Sequence, residues 1–322
     1  MPTQFIAEVS SNHHRDLERC FDFIDTAARI GCDAVKFQLF KIDQLFAPEI
    51  LAKSETHRKR KDWELPTAFL PELAKRSHDQ GIQFSCTPFY LDAVAELEPH
   101  VDFYKIASYE LLWDDLIRAC ARTGKPLIPS TGMATLGEIE AALEVLETAG
   151  TPRTQITVLH CNTEYPTPME DVNLRAMCSI RDVFGVAVGY SDHTAGIEVP
   201  IVAVALGATV IEKHLTLDRN LPGPDHKASL EPDEFAAMVR AIRNIEQAMG
   251  DGIKRPSPSE TKNKSIARKS LVAAKPICAG AQFTAENVTT KRPGNGMSSM
   301  RWDDVIGRTA NRDFAKDEQI SF

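Results

Sequence analysis

The chain contains no run of 18 or more apolar residues, and its opening MPTQFIAEVS passes into β-branched and aromatic sequence without a basic stretch followed by an apolar one. Neither a membrane-spanning helix nor a secretory leader is therefore expected, and the expected location is the cytoplasm. Positive charge is scarce: 37 Lys+Arg stand against 45 Asp+Glu, a formal net charge of −8. A general nucleic-acid binder needs a basic footprint that this balance does not supply. Paired-cysteine spacing is missing too. The seven cysteines (20, 32, 86, 120, 161, 178 and 278) are odd in number, show no CxxC pattern and sit mostly in apolar segments, which suits reduced core thiols better than a disulfide framework or a zinc site. What the 322 residues do have is 43% hydrophobic and 25% charged content, an ordinary balance for a folded chain with a sizeable core.

Apolar periodicity breaks down at GDGIKRPSPSETKNK (250–264), a Pro/Ser/Lys-rich run. It divides the chain into a first domain over 1–250, a linker over 251–264 and a C-terminal module over 265–322. Residues 264–322 hold ten Lys/Arg and six Asp/Glu, a net +4, which leaves −12 for the first 263. The last segment alternates short β-branched runs with Gly and Pro, the pattern of a small β-rich module of marginal independent stability.

Within the first domain, strand-like runs occur at 4–9, 33–38, 82–86, 102–107, 126–130, 156–161, 185–190 and 208–214. Helical periodicity falls between them at 15–30, 66–80, 90–98, 111–123, 135–149, 171–183 and 195–206, with a further helix at 231–249. Eight strands, each followed by a helix, predict an α/β protein of the (β/α)8 TIM-barrel class, with a small β-rich domain after it. An open doubly wound sheet is the alternative, weakened because no GxGxxG follows the first strand.

Active sites of such barrels form where the strands end. Here those ends carry Glu8 and Asn12; Lys36 and Gln38; Ser85 and Thr87; Lys105 and Ser108; Ser130 and Thr131; Asn162, Thr163 and Tyr165; Ser191, Asp192 and His193; Glu212 and His214. Lys36 and Gln38, Ser191 and His193, and Glu212 and His214 are each two apart, so each pair shares a face in extended chain. A lone histidine at a strand end is more often structural than metal-binding, but His193 and His214 close neighbouring strands, and two imidazoles there can share a divalent ion with positions left open for substrate. Lys36 and Lys105 with the hydroxyls of Thr87, Ser108, Ser130 and Ser191 make an anion-receptive set in an acidic domain, which points to a small phosphorylated substrate.

The segments AEVSSNH (7–13), DAVKFQLFK (33–41), FSCTPFYLDAV (84–94), YKIASYE (104–110), PSTGMATLGEI (129–139), HCNTEYPTPMEDVNL (160–174), GYSDHTAG (189–196) and IEKHLTLDRNLPGPDHKASLEPDEF (211–235) resemble the sialic acid synthase family. RKSLVAAKPICAGAQFTAENVTTKRPGNG (268–296) is similar to that family's C-terminal antifreeze-like (SAF) domain. The resemblance implies a metal-dependent condensation of phosphoenolpyruvate with an N-acylated aldose, N-acetylmannosamine in the commonest case, giving N-acetylneuraminate or a related nonulosonate and phosphate. It implies a domain-swapped homodimer and a divalent metal, Mn2+ before Mg2+ or Co2+, on His193 and His214. By motif position, Lys36, Thr87, Lys105, Ser108, Ser130, Thr163 and Ser191 match phosphoenolpyruvate-binding residues, and Glu8 matches the catalytic carboxylate, with Lys36 and Lys105 also catalytic. Asn12, Gln38, Tyr165, Glu212, Asp225 and Arg292 are assigned to the sugar.

The family has Asn-His-Asn-Gly after the first strand, whereas Asn12-His13 is followed here by His14-Arg15-Asp16. KSETHRKRKDWELP (53–66) is unusually basic; a solvated face is favoured over contact with an anionic acceptor. Legionaminate and pseudaminate synthases are the alternatives for the product, and PGPDHKAS resembles the neuraminate and legionaminate branches more than the pseudaminate one. A Schiff-base aldolase using Lys36 or Lys105, and a non-enzymatic carbohydrate binder, are the competing classes.

Overall fold

Alternating side chains along eight short strands decide the architecture. The computed structural model describes residues 2–322 and divides the chain into two compact units, Met1–Gly250 and Asp251–Phe322. In the first unit β1 (Gln4–Ser10), β2 (Ala34–Leu39), β3 (Gln83–Pro88), β4 (Phe103–Ile106), β5 (Leu127–Pro129), β6 (Thr157–His160), β7 (Ala187–Asp192) and β8 (Val210–His214) form one parallel sheet in the order β5-β4-β3-β2-β1-β8-β7-β6. Parallel bridges Leu127–Ile156 and Ser130–Leu159 join its two ends. The TIM-barrel expectation holds, with all eight strands within a few residues of their predicted places.

One set of side chains from each strand faces the helices, and the alternate set faces the barrel axis. Phe5, Ala7, Val35, Phe37, Phe84 and Tyr104 belong to the large outer core, which packs against α1 (Leu17–Arg29), α5 (Leu70–Asp79), α7 (Asp114–Arg122), α8 (Leu136–Thr148), α9 (Leu174–Phe184), α10 (Glu198–Ala205) and α11 (Pro232–Met249). Leu73 of α5 is fully buried, and truncating it to Ala is worth about 2–5 kcal/mol. Helix starts are chemically marked: Asp16 Oδ1 accepts the Glu18 and Arg19 N–H groups at α1, and Thr135 and Glu138 form a capping box at α8. Each such cap contributes about 1 kcal/mol.

The axis-facing set contains a second, smaller cluster: Ile6, Ala34, Phe103, Ile128, Leu159 and Val210. These six plug the barrel. Two residues further along, the same faces present Glu8, Lys36, Lys105, Ser130, Cys161 and Glu212, so the plug is the floor of whatever site lies above. Gly189 matters here, because a Cβ on it would collide with the Val210 carbonyl and the Leu159 side chain. Its absence lets β7 run close to β8, and Ser191 lies in register with Glu212.

Between β2 and α5 the chain makes an excursion of short helices, α2 (Ile42–Leu45), α3 (Pro48–Lys53) and α4 (Glu55–Lys59), followed by a 3-10 turn at Arg60–Trp63. Its ends are tied together: Glu64 Oε1 accepts the Ile42 N–H at 2.7 Å and Lys61 pairs with Asp43 at 3.0 Å. α6 (Ala93–Leu97) completes the first unit's helices.

In the second unit, the expected linker carries α12 (Pro258–Ala267), started by a Ser257–Glu260 capping box with Pro258 in its first turn. None of its residues is buried, which is why apolar periodicity did not reveal it. β9 (Ser270–Ala273) and β10 (Val288–Lys291) pair antiparallel, α13 (Trp302–Val305) follows, and Leu271, Phe283, Val288 and Phe314 form a separate small core. Among the described residues no helix is long and apolar enough to cross a membrane.

Candidate active site

Above the apolar floor lies a cavity of about 670 Å³. Its charged end is built from strand register. Glu8 on β1 faces Lys36 on β2 and His214 on β8, and Lys36 in turn faces Ser85 on β3. Lys36 Nζ sits 2.5 Å from Glu8 Oε2, 3.8 Å from Glu212 Oε2 and 3.2 Å from Thr87 Oγ1. Lys105 Nζ donates to Ser130 Oγ at 2.5 Å and to the Ile106 carbonyl at 3.1 Å, with Glu212 Oε1 4.0 Å away. Ser191 Oγ donates to Glu212 Oε1 at 3.0 Å, and Gln38 Nε2 donates to Glu8 Oε1 at 2.7 Å.

Two carboxylates and two ammonium groups, all nearly inaccessible to water, thus share one layer. Burial alone would neutralise them. It does work against the Lys36 ammonium, but Glu212 and Glu8 outweigh it and hold this lysine above its ordinary pKa. Lys105 is lowered, because burial dominates and Lys36 repels it, although Glu212 pulls the other way. Burial opposes the Glu212 carboxylate, yet Lys105 and Lys36 keep it below the usual carboxylate range. The layer is a charged network whose hydrogen bonds leave capacity unused: Glu212 Oε2 accepts no hydrogen bond. An incoming dianion can recruit Lys36 and Lys105 from it.

His193 and His214 stand side by side at the ends of β7 and β8, ring centroids 5.5 Å apart. His193 Nδ1 lies 2.5 Å from the Asn162 carbonyl, which can only accept, so Nδ1 carries the proton and Nε2 keeps its lone pair. Burial, then the neighbouring His214, drive the His193 pKa down to about 3, and the ring is a neutral donor. His214 Nδ1 is buried without a partner. Among the described residues no third His, Cys, Asp or Glu completes a protein-only metal cage. Two adjacent imidazoles, one of them with an orphaned nitrogen, fit an open divalent site.

Tyr165 packs on His193 at 4.1 Å between centroids, and Asp225 Oδ2 accepts the Ser10 hydroxyl at 2.5 Å. Glu8, Lys36, Gln38, Thr87, Lys105, Ser108, Ser130, Thr163, Tyr165, Ser191, His193, Glu212, His214 and Asp225 all line the same cavity. Asn12 is not brought there. It is fully buried, and its amide donates to the Leu215 carbonyl at 3.0 Å and to Ser229 Oγ at 3.2 Å, which makes it a brace between the first and last strand loops. Arg292 belongs to the second unit, exposed, with Nε donating to the Ala267 carbonyl at 2.8 Å.

The basic run 53–66 is mostly satisfied locally: Lys59 pairs with Glu55, Lys61 with Asp43, and Arg58 donates to the Leu51 and Ala52 carbonyls. His57, Arg60 and Trp63 alone of that run line the cavity, alongside Phe40, Phe46, Phe89, Tyr109 and Glu110. Of these, His57, Arg60 and Trp63 fall in the basic run for which the sequence favoured a solvated face over an acceptor contact, whereas Phe40, Phe46, Phe89, Tyr109 and Glu110 were not singled out. Phe40 alone carried a local signal, since it continues the alternation of Lys36 and Gln38; the others come from α4 and from the turns and loops after the strands.

A barrel whose strand ends gather a buried charged network and paired imidazoles in one cleft is an enzyme's framework, and the chain is an enzyme of the synthase class. It belongs to the NeuB family, whose sequence pattern matches residues 23–254, and the SAF domain pattern matches 268–322. It is 46% identical to the N,N'-diacetyllegionaminic acid synthase of Campylobacter jejuni over 99% of this chain and 98% of that protein. The pseudaminic acid synthase of the same species is 37% identical over 96% and 92%. Among solved structures, the N-acetylneuraminic acid synthetase of Leptospira borgpetersenii aligns with a TM-score of 0.75 at 35% identity, covering 82% of this chain and 90% of that one.

Proposed function

We propose that this enzyme condenses phosphoenolpyruvate with an N,N'-diacetylated aldose to give a legionaminate-type nonulosonate and phosphate. The convergence of Lys36, Lys105, Glu8 and Glu212 beside His193 and His214 in one cavity carries the reaction type. The relative at 46% identity carries the product class: it favours the diacetylated alternative over the N-acetylmannosamine expected first. The three carbons of phosphoenolpyruvate bring no nitrogen, so both acetamido groups of such a product must arrive on the acceptor.

The enol carbon is a weak nucleophile, and a divalent ion on His193 and His214, Mn2+ first and Mg2+ or Co2+ as alternatives, would supply Lewis-acid polarisation of the aldehyde oxygen. Lys36 and Lys105 balance the carboxylate and phosphate charge, with Thr87, Ser108, Ser130, Thr163 and Ser191 donating hydroxyl hydrogen bonds. Water adds at the carbon bearing phosphate. Glu8, beside Lys36, takes a proton from it; of the water's two protons one ends on the oxygen of the former aldehyde and the other on phosphate, which departs with its bridging oxygen as the C–O bond breaks and the keto group forms. Gln38, Tyr165, Glu212 and Asp225 face the sugar. We further propose a homodimer in which Arg292 of one subunit serves the partner's cavity.

The test is an acceptor panel with phosphoenolpyruvate and Mn2+, followed by phosphate release and product mass. Phosphate release with the diacetylated acceptor, abolished by EDTA and by either His193→Ala or His214→Ala, is the expected result. Full activity in EDTA with no metal retained on elemental analysis would refute the metal's role, and inactivation by borohydride would redirect the mechanism to a Schiff base on lysine.

A further inference from the structure

The cavity lining is of two chemical kinds. Besides the charged strand ends, the excursion after β2 and the loops after β3 and β4 contribute Phe46, Trp63, Phe89 and Tyr109. Phe46 and Trp63 are half-buried, leaving apolar surface in contact with water inside a cleft. The frame that presents them is rigidly tied. Beyond the Glu64–Ile42 and Lys61–Asp43 links, Arg15 Nη1 donates to the Lys61 carbonyl at 3.1 Å, and Ser54 Oγ holds His57 Nδ1 at 2.6 Å. His57 in turn meets the Phe46 ring edge-on at 4.5 Å, and the Arg60 guanidinium stands 5.7 Å from that ring's centroid. Arg60 has no ion-pair partner among the described residues.

Covering such surface is favourable at about 25 cal/mol per Å². A hydroxyl placed against the rings gives up water and can regain at most the Arg60 donor, with no methyl to cover the apolar surface. An acetamido group matches both features, since its methyl can lie on Phe46 and Trp63 while its carbonyl accepts from Arg60. An acceptor held by its aldehyde at the charged strand ends has these loop-borne rings within reach in the same cavity. We infer that Phe46 and Trp63, with Arg60 beside them, form the subsite for the second acetamido group and make the enzyme select a diacetylated aldose over its mono-acetylated counterpart bearing a hydroxyl there. This rests on the acceptor reading given above.

The experiment compares kcat/KM for these two acceptors, at saturating phosphoenolpyruvate, in the wild type and in Phe46→Ala, Trp63→Ala and Phe46→Leu. In a hydrophobic pocket one methylene more or less on the substrate is worth about 10- to 200-fold in discrimination. The preference of the wild type should fall by about tenfold or more in each alanine variant and be largely kept in Phe46→Leu. A wild type that uses the mono-acetylated sugar as well as the diacetylated one overturns the acceptor reading, and this inference with it. A wild type that prefers the diacetylated sugar, with the ratio unmoved in both alanine variants, overturns the subsite alone.

Discussion

Glu110 lies in the turn after β4, lines the cavity, and is buried to 6% exposure with Oε2 accepting no hydrogen bond. Burial pushes its carboxyl from an ordinary 4.5 up to about 8, with Lys105 pulling less strongly the other way. At about 1.4 kcal/mol per pH unit, that displacement is worth on the order of 4 to 5 kcal/mol. Below about pH 4.5 both folded and unfolded chains hold the proton, and the favourable contribution is complete. Between about 4.5 and 8 only the folded chain holds it. Stability is therefore lost as pH rises through this window and levels off above it. Glu110→Gln keeps the shape and removes the titration. Urea unfolding of both proteins at intervals from pH 5 to 9 gives the difference in unfolding free energy, wild type minus variant, and it should decline by roughly 1 kcal/mol per pH unit up to about pH 8. A flat difference across that range would refute the argument, because it would mean the carboxyl is charged in the folded protein.

Lys213 and Asp192 form an ion pair with no exposed side-chain surface, and Lys213 also donates to the Thr194 carbonyl at 2.5 Å. Lys213→Met alone strands the Asp192 charge and should cost about 3–5 kcal/mol, whereas Lys213→Met with Asp192→Leu should recover part of it, the remainder being the Thr194 N–H and hydroxyl that Asp192 Oδ1 no longer accepts; thermal denaturation of the two variants decides, and equal losses would contradict the account. For the proposed dimer, Arg292→Ala and Glu8→Ala proteins, each inactive, should regain part of the activity when mixed. One hybrid cavity would then hold both intact residues; no recovery after demonstrated subunit exchange would place Arg292 in its own subunit's site.

Strands were legible because each needs only a few alternating residues, and the floor and charged layer follow from that period: Ile6 then Glu8, Ala34 then Lys36, Val210 then Glu212. Closure of the ring converts eight separate alternations into one site, which is why most of the predicted polar residues meet, while Ser85, Thr131, Asn162 and Asp192 do not line the cavity. Asn12 departed from this rule because it lies beyond the strand, after Ser10 turns to positive φ at an irregular β1–β2 register. The aromatic wall was invisible for a different reason. Phe46, Trp63 and Tyr109 are spread over some sixty positions in loops without any period, and only tertiary structure brings them together. The helix at Pro258–Ala267 was marked by its Ser257 cap and Pro258 alone.

The tie between Ile42 and Glu64 has a consequence for how this fold can change. Because the excursion is tied where it leaves and rejoins the barrel, and the β2–β3 register is held by its own ladder, a change between the two anchor points need not pass into the strands. Loop-closure entropy grows only logarithmically, about 0.6 kcal/mol for each doubling of length. Residues 43–63 can therefore be lengthened, shortened or replaced at small thermodynamic cost, while the barrel floor and its charged layer stay untouched. On the subsite proposed above, a graft of this segment from a relative with a different acceptor is the natural unit of exchange: it would replace Phe46, Arg60 and Trp63 together while leaving Glu8, Lys36, Lys105 and Glu212 in place.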